Sequence, residues 1–514
     1  MKLYKIWGCL VGVALILAAC GQGEKRSPVT QDSFADMTLG QYHISEKRIR
    51  THIADLMFED RDHMGADLRV KDYYKNHGPF LWIGRDGVRQ SADSVLKYVA
   101  RVSEMGFSPK RFRLQAIARD LGRLRRLSLD DDDINHLLAR VEYNLSKAYL
   151  NYAMGQRFGY TSPKRLYNRL DVRDSDSVGV SYRTLFDLPV KQPGHTFVVH
   201  AFNQVRHDSV GVFLSQSGTD DALYQRLQAM LPKARTAAQR RLLLVNMERC
   251  RWALADKPSR HSQYVLLNIP SQELDAVNDA QTLRMRVVCG STETKTPLLQ
   301  SYIHRIDINP QWIIPKSIVK KSVARHAGNA AYFNSRRYFI LERKTGKEVN
   351  PALATPAMLM DKGYLVIQRG GKGNALGRMI FRFNNKFSVF LHDTSNRDLF
   401  ASSARLASHG CVRVQHPYDL AVFLLGDKDE DLLEKIRYST TVDLPVEPEA
   451  GAEAGAATAD IDRSKLVRSA NVEPKVPLYI VYFTMFNTAD GQLLTYPDIY
   501  GYDGVLYDSL KHYL

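Results

Sequence analysis

A chain of 514 residues, 44% hydrophobic and 25% charged, is globular and too long for one hydrophobic core, so two or three structural units are expected. Five cysteines are too few for a disulfide scaffold at this size. A formal net charge of +16 points to a polyanionic partner; outside the cytoplasm that excludes nucleic acid in favour of an envelope or cell-wall polymer, with a merely solvated basic surface as the plainer alternative.

The first residues stand apart from the globule. Residues 1–5 are short and positive, 6–17 are apolar, and "LAAC" at 17–20 closes the segment, which is the pattern of a secretory signal over 1–19. A cysteine after two alanines resembles the lipobox of bacterial lipoproteins. That resemblance makes Cys20 the lipid-modified first residue of the mature protein and 20–44 a tether. It implies a periplasmic protein held to a membrane, the outer one by preference, through the lipid on Cys20; a secreted protein with an unmodified Cys20 is the alternative. No later stretch reaches the roughly 18 apolar residues of a transmembrane helix.

From 45 to 255 the chain reads as helix after helix. Residues 93–107, 133–155, 195–205 and 234–254 carry apolar side chains at three- and four-residue spacing, with Asp133 as N-cap and Gly155 as stop of the second helix. At about His261 the period changes to two: 263–290 reads as two or three strands and 300–312 as another. Residues 319–371 are lysine-rich and less regular, an excursion from the sheet. "RMIFRFNNKFSVFLHD" (378–393) reads as a hairpin with Asn384 and Asn385 in the positive φ of a tight turn. The Ala/Gly/acid stretch 446–462 reads as a flexible loop, and 477–501 as a terminal hairpin about Asp490-Gly491 that returns to the same sheet.

Two histidines and a cysteine fall within "FLHDTSNRDLFASSARLASHGCVRV" (390–414). Alternation places Ser388, Phe390 and His392 on one strand face, and Cys411 with Arg413 on one face of 411–414 while Val412 and Val414 take the other. Pro417 and Gly426 bound a following helix, which leaves His416 outside the site. A metal centre on His392, His409 and Cys411 lacks a paired Cys-x-x-Cys or His-x-x-x-His element and has an arginine two residues from the thiol, so no metal is expected. An inert buried cysteine would have apolar neighbours rather than Ser408, Gly410 and Arg413. The nucleophile reading uses all of them: His392 takes the proton and lowers the thiol pKa through the imidazolium it forms. The amides around Gly410 and Cys411 face an oxyanion, and Arg413 grips a carboxylate. A papain-like order would put the histidine far downstream of the cysteine, whereas here it precedes. Cys250 and Cys289 sit in hydrophobic contexts and read as buried thiols; nothing supports pairing them.

The run His392-x16-His409-Gly410-Cys411-Val412-Arg413, preceded by Ser408, resembles the signature of YkuD-type L,D-transpeptidases, cysteine enzymes of the bacterial cell wall. The stretches "NMERCRWAL", "VLLNIPSQEL", "INPQWIIPKSI", "GNALGRMIFRFNNKFSVFLHDT" and "VPLYIVYFTMF" are similar to the large YcbB-like branch. The resemblance implies an α+β fold: an N-terminal helical scaffold domain (45–255), then a mostly β catalytic domain (256–445 and 463–514) with an inserted capping subdomain (319–371). It also implies Cys411 as acylated nucleophile and His392 as base, with the Asp393 backbone carbonyl orienting the imidazole. His409 takes a secondary role, Ser408 and Gly410 complete the motif, and Arg413 meets substrate.

The implied partners are peptidoglycan stem peptides, joined by diaminopimelate-to-diaminopimelate cross-links; a carbapenem is the implied inhibitor, no cofactor is required, and a monomer is expected. Hydrolysis, exchange with a D-amino acid or attachment to an envelope-protein lysine would use the same acyl-enzyme. A non-catalytic wall-binding lipoprotein is the reading from another class, and the complete set His392, Cys411 and Arg413 argues against it. Three features depart from the family pattern: the absence of a clear peptidoglycan-binding repeat, the stretch 447–462, and Cys250 where an aromatic residue is expected.

Overall fold

The computed structural model describes residues 37–39, 42–127, 133–172, 181–279, 281–426, 429–442, 461–488 and 490–514. The signal over 1–19, Cys20, most of the tether and nearly all of the 446–462 stretch lie outside them. Among the described residues no helix is long and apolar enough to cross a membrane. The chain divides into two compact units, one of Met1–Arg157, Pro193–Gly218 and Tyr513–Leu514, the other of Phe158–Gln192 and Thr219–His512.

The first unit is helical and centred on Ile134–Phe158, most of whose residues are buried. The Asp133 carboxylate accepts from the Asn135 amide at 3.0 Å, satisfying a donor that the helix start leaves open. The helix does not stop at Gly155. Nothing in "QRF" breaks it, and it ends before Gly159, whose φ of +90° supplies the left-handed residue a helix terminus needs. The helix expected over 93–107 divides into Ser91–Ala100 and a tighter turn Arg101–Met105, closed by Gly106 at φ +85°. The central helix also organises an irregular segment: buried Glu142 accepts from Tyr74 OH at 2.6 Å and from the amides of Leu81, Trp82 and Ile83 at 2.5, 2.9 and 3.1 Å.

The second unit includes two helices, Ala222–Met230 and Ala237–Arg251, that lie before the boundary expected at 255. Their buried polar side chains explain the difference. Asn246 accepts from the amides of Thr484 and Met485 at 3.0 and 3.2 Å, and Arg249 pairs with Asp503 at 2.6 Å, so the second helix is partnered by the C-terminal segment.

The sheet begins with an antiparallel meander, β1 (Gln263–Asn268), β2 (Glu273–Asn278) and β3 (Thr282–Gly290), followed by β4 (Leu298–Ile308). The chain then leaves for a small subdomain with its own antiparallel sheet: β5 (Trp312–Ile313), β6 (Tyr338–Glu342), β7 (Glu348–Val349) and β8 (Tyr364–Gln368), in the order β5-β8-β6-β7. Ile314, Val319, Val323, Phe333, Ile340, Leu359 and Val366 form its core, so it is an ordered body rather than an irregular excursion. It starts at Trp312, before 319, because β5 pairs Trp312 with Gln368.

The main sheet resumes with β9 (Met379–Phe383), β10 (Leu391–His392), β11 (Leu406–Ser408), β12 (Val412–Val414) and β13 (Ser469–Val481). Strands β9, β10, β12, β3, β2, β1, β13 and β4 are hydrogen-bonded in that order, and β4 pairs back onto β9. Closure removes the sheet edges, and Val265, Leu267, Ile303, Phe381, Leu391 and Leu478 are among the side chains buried by it.

Two strand expectations change in detail. The β9–β10 hairpin forms, but through residues 384–390 rather than a tight Asn-Asn turn. Asn385 acts by its side chain, accepting from the amides of Phe387 and Val389 at 3.0 and 3.1 Å and donating to the Val389 carbonyl at 2.8 Å, while the positive φ, +55°, falls on Ser388. At the C-terminus, β13 joins the main sheet, whereas the Asp490-Gly491 hairpin, β14 (Met485–Asn487) and β15 (Leu493–Thr495), is a separate ribbon.

Candidate active site

The site lies where β10 and β12 run side by side. They are parallel, with Leu391 opposite Val412 and His392 opposite Arg413, and paired residues share a face. Cys411 precedes Arg413 by two positions and so shares that face too, while Val412 and Val414 are fully buried on the other. His392, Cys411 and Arg413 are thus brought together. The expected alternation over 387–390 does not occur, because that segment belongs to the Asn385-organised loop and not to a strand. His392 is buried, 4% exposed, and not on an open face.

A backbone carbonyl holds the imidazole. Nδ1 lies 2.5 Å from the Asp393 carbonyl, to which it donates, so the other ring nitrogen, Nε2, keeps its lone pair. The Leu376 backbone also favours the charged ring. Burial above all, with the nearby Arg413 guanidinium adding to it, holds the imidazole pKa down to about 4 against the opposing pull of the Asp393 and Leu376 backbone. His392 is therefore neutral at neutral pH.

Cys411 does not rest as a thiolate. Burial raises its pKa, with the Phe390 backbone and Arg413 pulling the other way, and its Sγ lies 3.9 Å from the Ser388 carbonyl, a weak acceptor for S–H. The expected imidazolium-thiolate pair is absent because both partners are desolvated; thiol and imidazole are both neutral in the free protein.

The turn before Cys411 is fixed by side chains from elsewhere. Ser408 Oγ donates to the Cys411 carbonyl and accepts from the Gly410 amide. Gly410, at φ +110°, adopts a conformation that a side chain would strain, and its carbonyl accepts from Thr296 Oγ1 at 3.0 Å. Thr296 in turn accepts from the Gly290 amide at 2.9 Å, and Tyr500 OH donates to the Gly290 carbonyl at 2.7 Å. The Gly410 amide is thus occupied. No described group accepts from the Cys411 amide, which leaves that amide for an oxyanion. His409 is exposed on this turn and makes no described hydrogen bond or ion pair.

Arg413 differs from most other arginines in the unit. It makes no described ion pair or hydrogen bond, and its Nε is buried without a partner; burial pulls its pKa down while Cys411 pulls it up. A half-buried, unpaired guanidinium beside a thiol has the chemistry to receive a carboxylate. Among the described residues no group of three or more His, Cys, Asp and Glu side chains could hold a metal ion. Cys250 and Cys289 are free and buried, not paired, and burial pushes the Cys289 thiol up to about 12.

Sequence reasoning missed the supports. Fully buried Asn374 donates to the carbonyls of Arg369 and Pro310 at 2.9 and 3.2 Å and accepts from the Leu376 amide at 2.8 Å. It thereby fixes the backbone of Leu376, which acts on the His392 pKa. Gly377 packs so closely that a Cβ there would lie 2.4 Å from the Asp393 carboxyl carbon, and the Asp393 carboxylate accepts from the Arg378 amide at 2.8 Å. An asparagine between glycines in "GNALG" was the available signal; Thr296 and Tyr500 gave none.

A closed sheet that presents a cysteine, a carbonyl-held histidine and an unpaired arginine on one face defines a domain of the YkuD class, and similarity to known proteins agrees. Residues 262–443 match the model of the L,D-transpeptidase catalytic domain, YkuD, and residues 69–231 that of the Scaffold domain. A Haemophilus influenzae protein named "Putative L,D-transpeptidase" is 26% identical over 336 residues, which cover 63% of this chain and 63% of that protein. A solved structure titled "Structure of the Ldtfm-avibactam carbamoyl enzyme" shares 13% identity over 34% of this chain and 49% of that one; its TM-score of 0.20 is too low to bear on the fold. The chain carries a YkuD L,D-transpeptidase catalytic domain joined to a Scaffold domain, the YcbB-like architecture.

Proposed function

We propose that the protein is an L,D-transpeptidase that joins peptidoglycan stems through a Cys411 thioester. The observation that carries this reading is the unpartnered Arg413 guanidinium beside a neutral thiol and a neutral, carbonyl-held imidazole.

His392 Nε2 takes the Cys411 proton as the sulfur attacks the carbonyl at the L-centre of diaminopimelate in a tetrapeptide stem. The Cys411 amide donates to the oxyanion, and Arg413 holds a stem carboxylate. The C–N bond breaks, His392 returns its proton to the departing D-alanine amine, and a thioester remains. The side-chain amine of a second stem then attacks the thioester and gives its proton to His392; the C–S bond breaks, the thiol is restored, and a diaminopimelate-to-diaminopimelate bridge has formed. Because thiol and imidazole both rest neutral, the proton moves only when a bound donor makes the thiolate useful.

The pattern at 1–20 supports a lipid on Cys20 and a periplasmic location on a membrane, and the same acyl chemistry supports carbapenem as an inhibitor. Incubation with a disaccharide-tetrapeptide, followed by product masses, tests the reaction. Cross-linked dimers formed with loss of D-alanine, and absent with Cys411→Ala, are expected. Tripeptide alone would make the protein an L,D-carboxypeptidase, exchange with added D-amino acid would name a different acceptor, and binding without turnover would leave a wall-binding protein.

A further inference from the structure

The subdomain between β4 and β9 carries charge out of proportion to its size. Residues 312–371 hold eleven Lys and Arg against three Asp and Glu, a net +8 that is half of the chain's +16. The excess is not neutralised internally. Among the described residues only Arg369 of these eleven pairs with a carboxylate, Glu348, at 2.6 Å.

Four of these cations lie on or next to segments that hold a flat aromatic pair. The His326 and Tyr332 rings stack with centroids 3.9 Å apart and planes 14° from parallel. The pair is held in place: Tyr332 OH donates to the Ser322 carbonyl at 3.4 Å, and Arg325 Nε donates to His326 Nε2 at 3.2 Å. The Arg336 guanidinium lies 5.9 Å from the Tyr332 ring centroid. Lys320 and Lys321, exposed, lie in the turn that contains Ser322. A rigid ring platform bordered by exposed ammonium and guanidinium groups matches a polymer that offers flat ring faces and repeated carboxylates.

The fold ties this face to the site. The subdomain leaves the sheet after Ile308 and returns at Met379, which pair with each other, and the next residue, Ile380, pairs with His392. A polymer held by the subdomain is therefore held within reach of the acyl-transfer centre.

We propose that the face formed by Lys320, Lys321, Arg325, His326, Tyr332 and Arg336 is a docking surface for the carboxylate-bearing glycan strand. This inference rests on the peptidoglycan reading of the site. The face binds the strand at a distance from the reacting bond, so it governs action on the polymer and not on a small soluble stem. The ring pair is half-buried and tied down at both rings, which suits contact with a stiff strand better than insertion among lipid tails.

The test uses the full-length protein in mild detergent, a triple variant Lys320→Glu/Lys321→Glu/Arg325→Glu, and Tyr332→Ala. Sedimentation with purified sacculi, turnover of soluble disaccharide-tetrapeptide and binding to vesicles of anionic and zwitterionic phospholipid are measured for each. Sacculus binding is expected to fall at least tenfold in the triple variant and severalfold in Tyr332→Ala, with soluble turnover unchanged. For the unmodified protein, sacculus binding is expected to weaken steeply between low and high salt, a readout that holds even where the triple variant fails to fold. Unchanged sacculus binding in a folded triple variant, or salt-insensitive binding by the unmodified protein, would overturn the proposal, as would loss of vesicle binding alone. Failure of the transpeptidase reading would look different: the unmodified protein would not turn over the soluble stem.

Discussion

Two buried polar clusters, one in each unit, follow opposite rules. In the helical unit, Lys147 pairs with both Asp60 and Asp62, at 2.5 and 2.7 Å. Burial alone would raise the Asp60 pKa, yet the Lys147 and Tyr143 hydrogen bonds outweigh it and hold the carboxyl well below the usual range. Nearby, Glu142 has four donors. In the catalytic unit, Arg413 has no acceptor for its buried Nε, the Cys411 amide has none described, and thiol and imidazole rest uncharged. The satisfied cluster is already complete as structure, since its polar groups meet each other. The unsatisfied one has partners missing that a substrate carboxylate and an oxyanion would supply. Acidity alone does not make this distinction, because burial raises the pKa of Cys250, Cys289 and Cys411 alike.

Paired substitutions sharpen the contrast. Cys411→Ala is expected to reduce turnover by roughly a thousandfold or more with the melting temperature unmoved. Glu142→Ala strands the amides of Leu81, Trp82 and Ile83 and is expected to cost about 3–5 kcal/mol of stability, read by denaturant unfolding.

The next effect is on pH. His392 has a folded pKa of about 4 against an ordinary 6.5, so between those values the unfolded chain binds a proton that the folded one refuses. The full stability is present above pH 6.5 and falls as pH drops to about 4, by roughly 3 kcal/mol in all. His392→Asn is expected to flatten this slope in unfolding curves taken across the window. The acid limb of kcat/KM is expected near 4 as well, and a limb near 6.5 would mean that the imidazole is solvated.

Arg413→Met is expected to lower kcat/KM by about 2–3 kcal/mol, roughly 30- to 150-fold, mostly in KM for a donor with its stem carboxylate. Stability should hold or rise, since an unpaired buried Nε is removed. Loss of stability instead would place Arg413 with the structural cluster. Asn374→Ala is expected to cost about 1–3 kcal/mol of stability and to lower kcat with little change in KM, because it frees the loop whose Leu376 backbone acts on His392.

The same contrast explains what could be read in the sequence. The grouping of Cys411, His392 and Arg413 was legible because they alternate with valines and leucines in short strands, and period two fixes which side chains share a face. The helix after Pro417 was legible from its ends: it runs Pro417–Leu425 and stops at Gly426, φ +70°. The resting charge state was not legible, since it depends on burial produced by a closed sheet whose strands lie far apart in the chain. For the same reason the Gly410 amide was assigned to the oxyanion although Ser408 Oγ occupies it. Asn385 was read by its backbone tolerance, but it acts through its side chain and displaces the positive φ to Ser388. The helix Ala237–Arg251 has the periodicity of its predecessors, and only its buried Asn246 and Arg249 reveal that its partners are Thr484 and Asp503.

The most direct test of a Cys411 thioester is a rapid quench with disaccharide-tetrapeptide donor, followed by intact mass and peptide mapping. The expected result is a protein heavier by the donor less D-alanine, with the added mass on the peptide containing Cys411 and released by hydroxylamine. Turnover that persists in Cys411→Ala with no adduct on the unmodified protein would contradict the account.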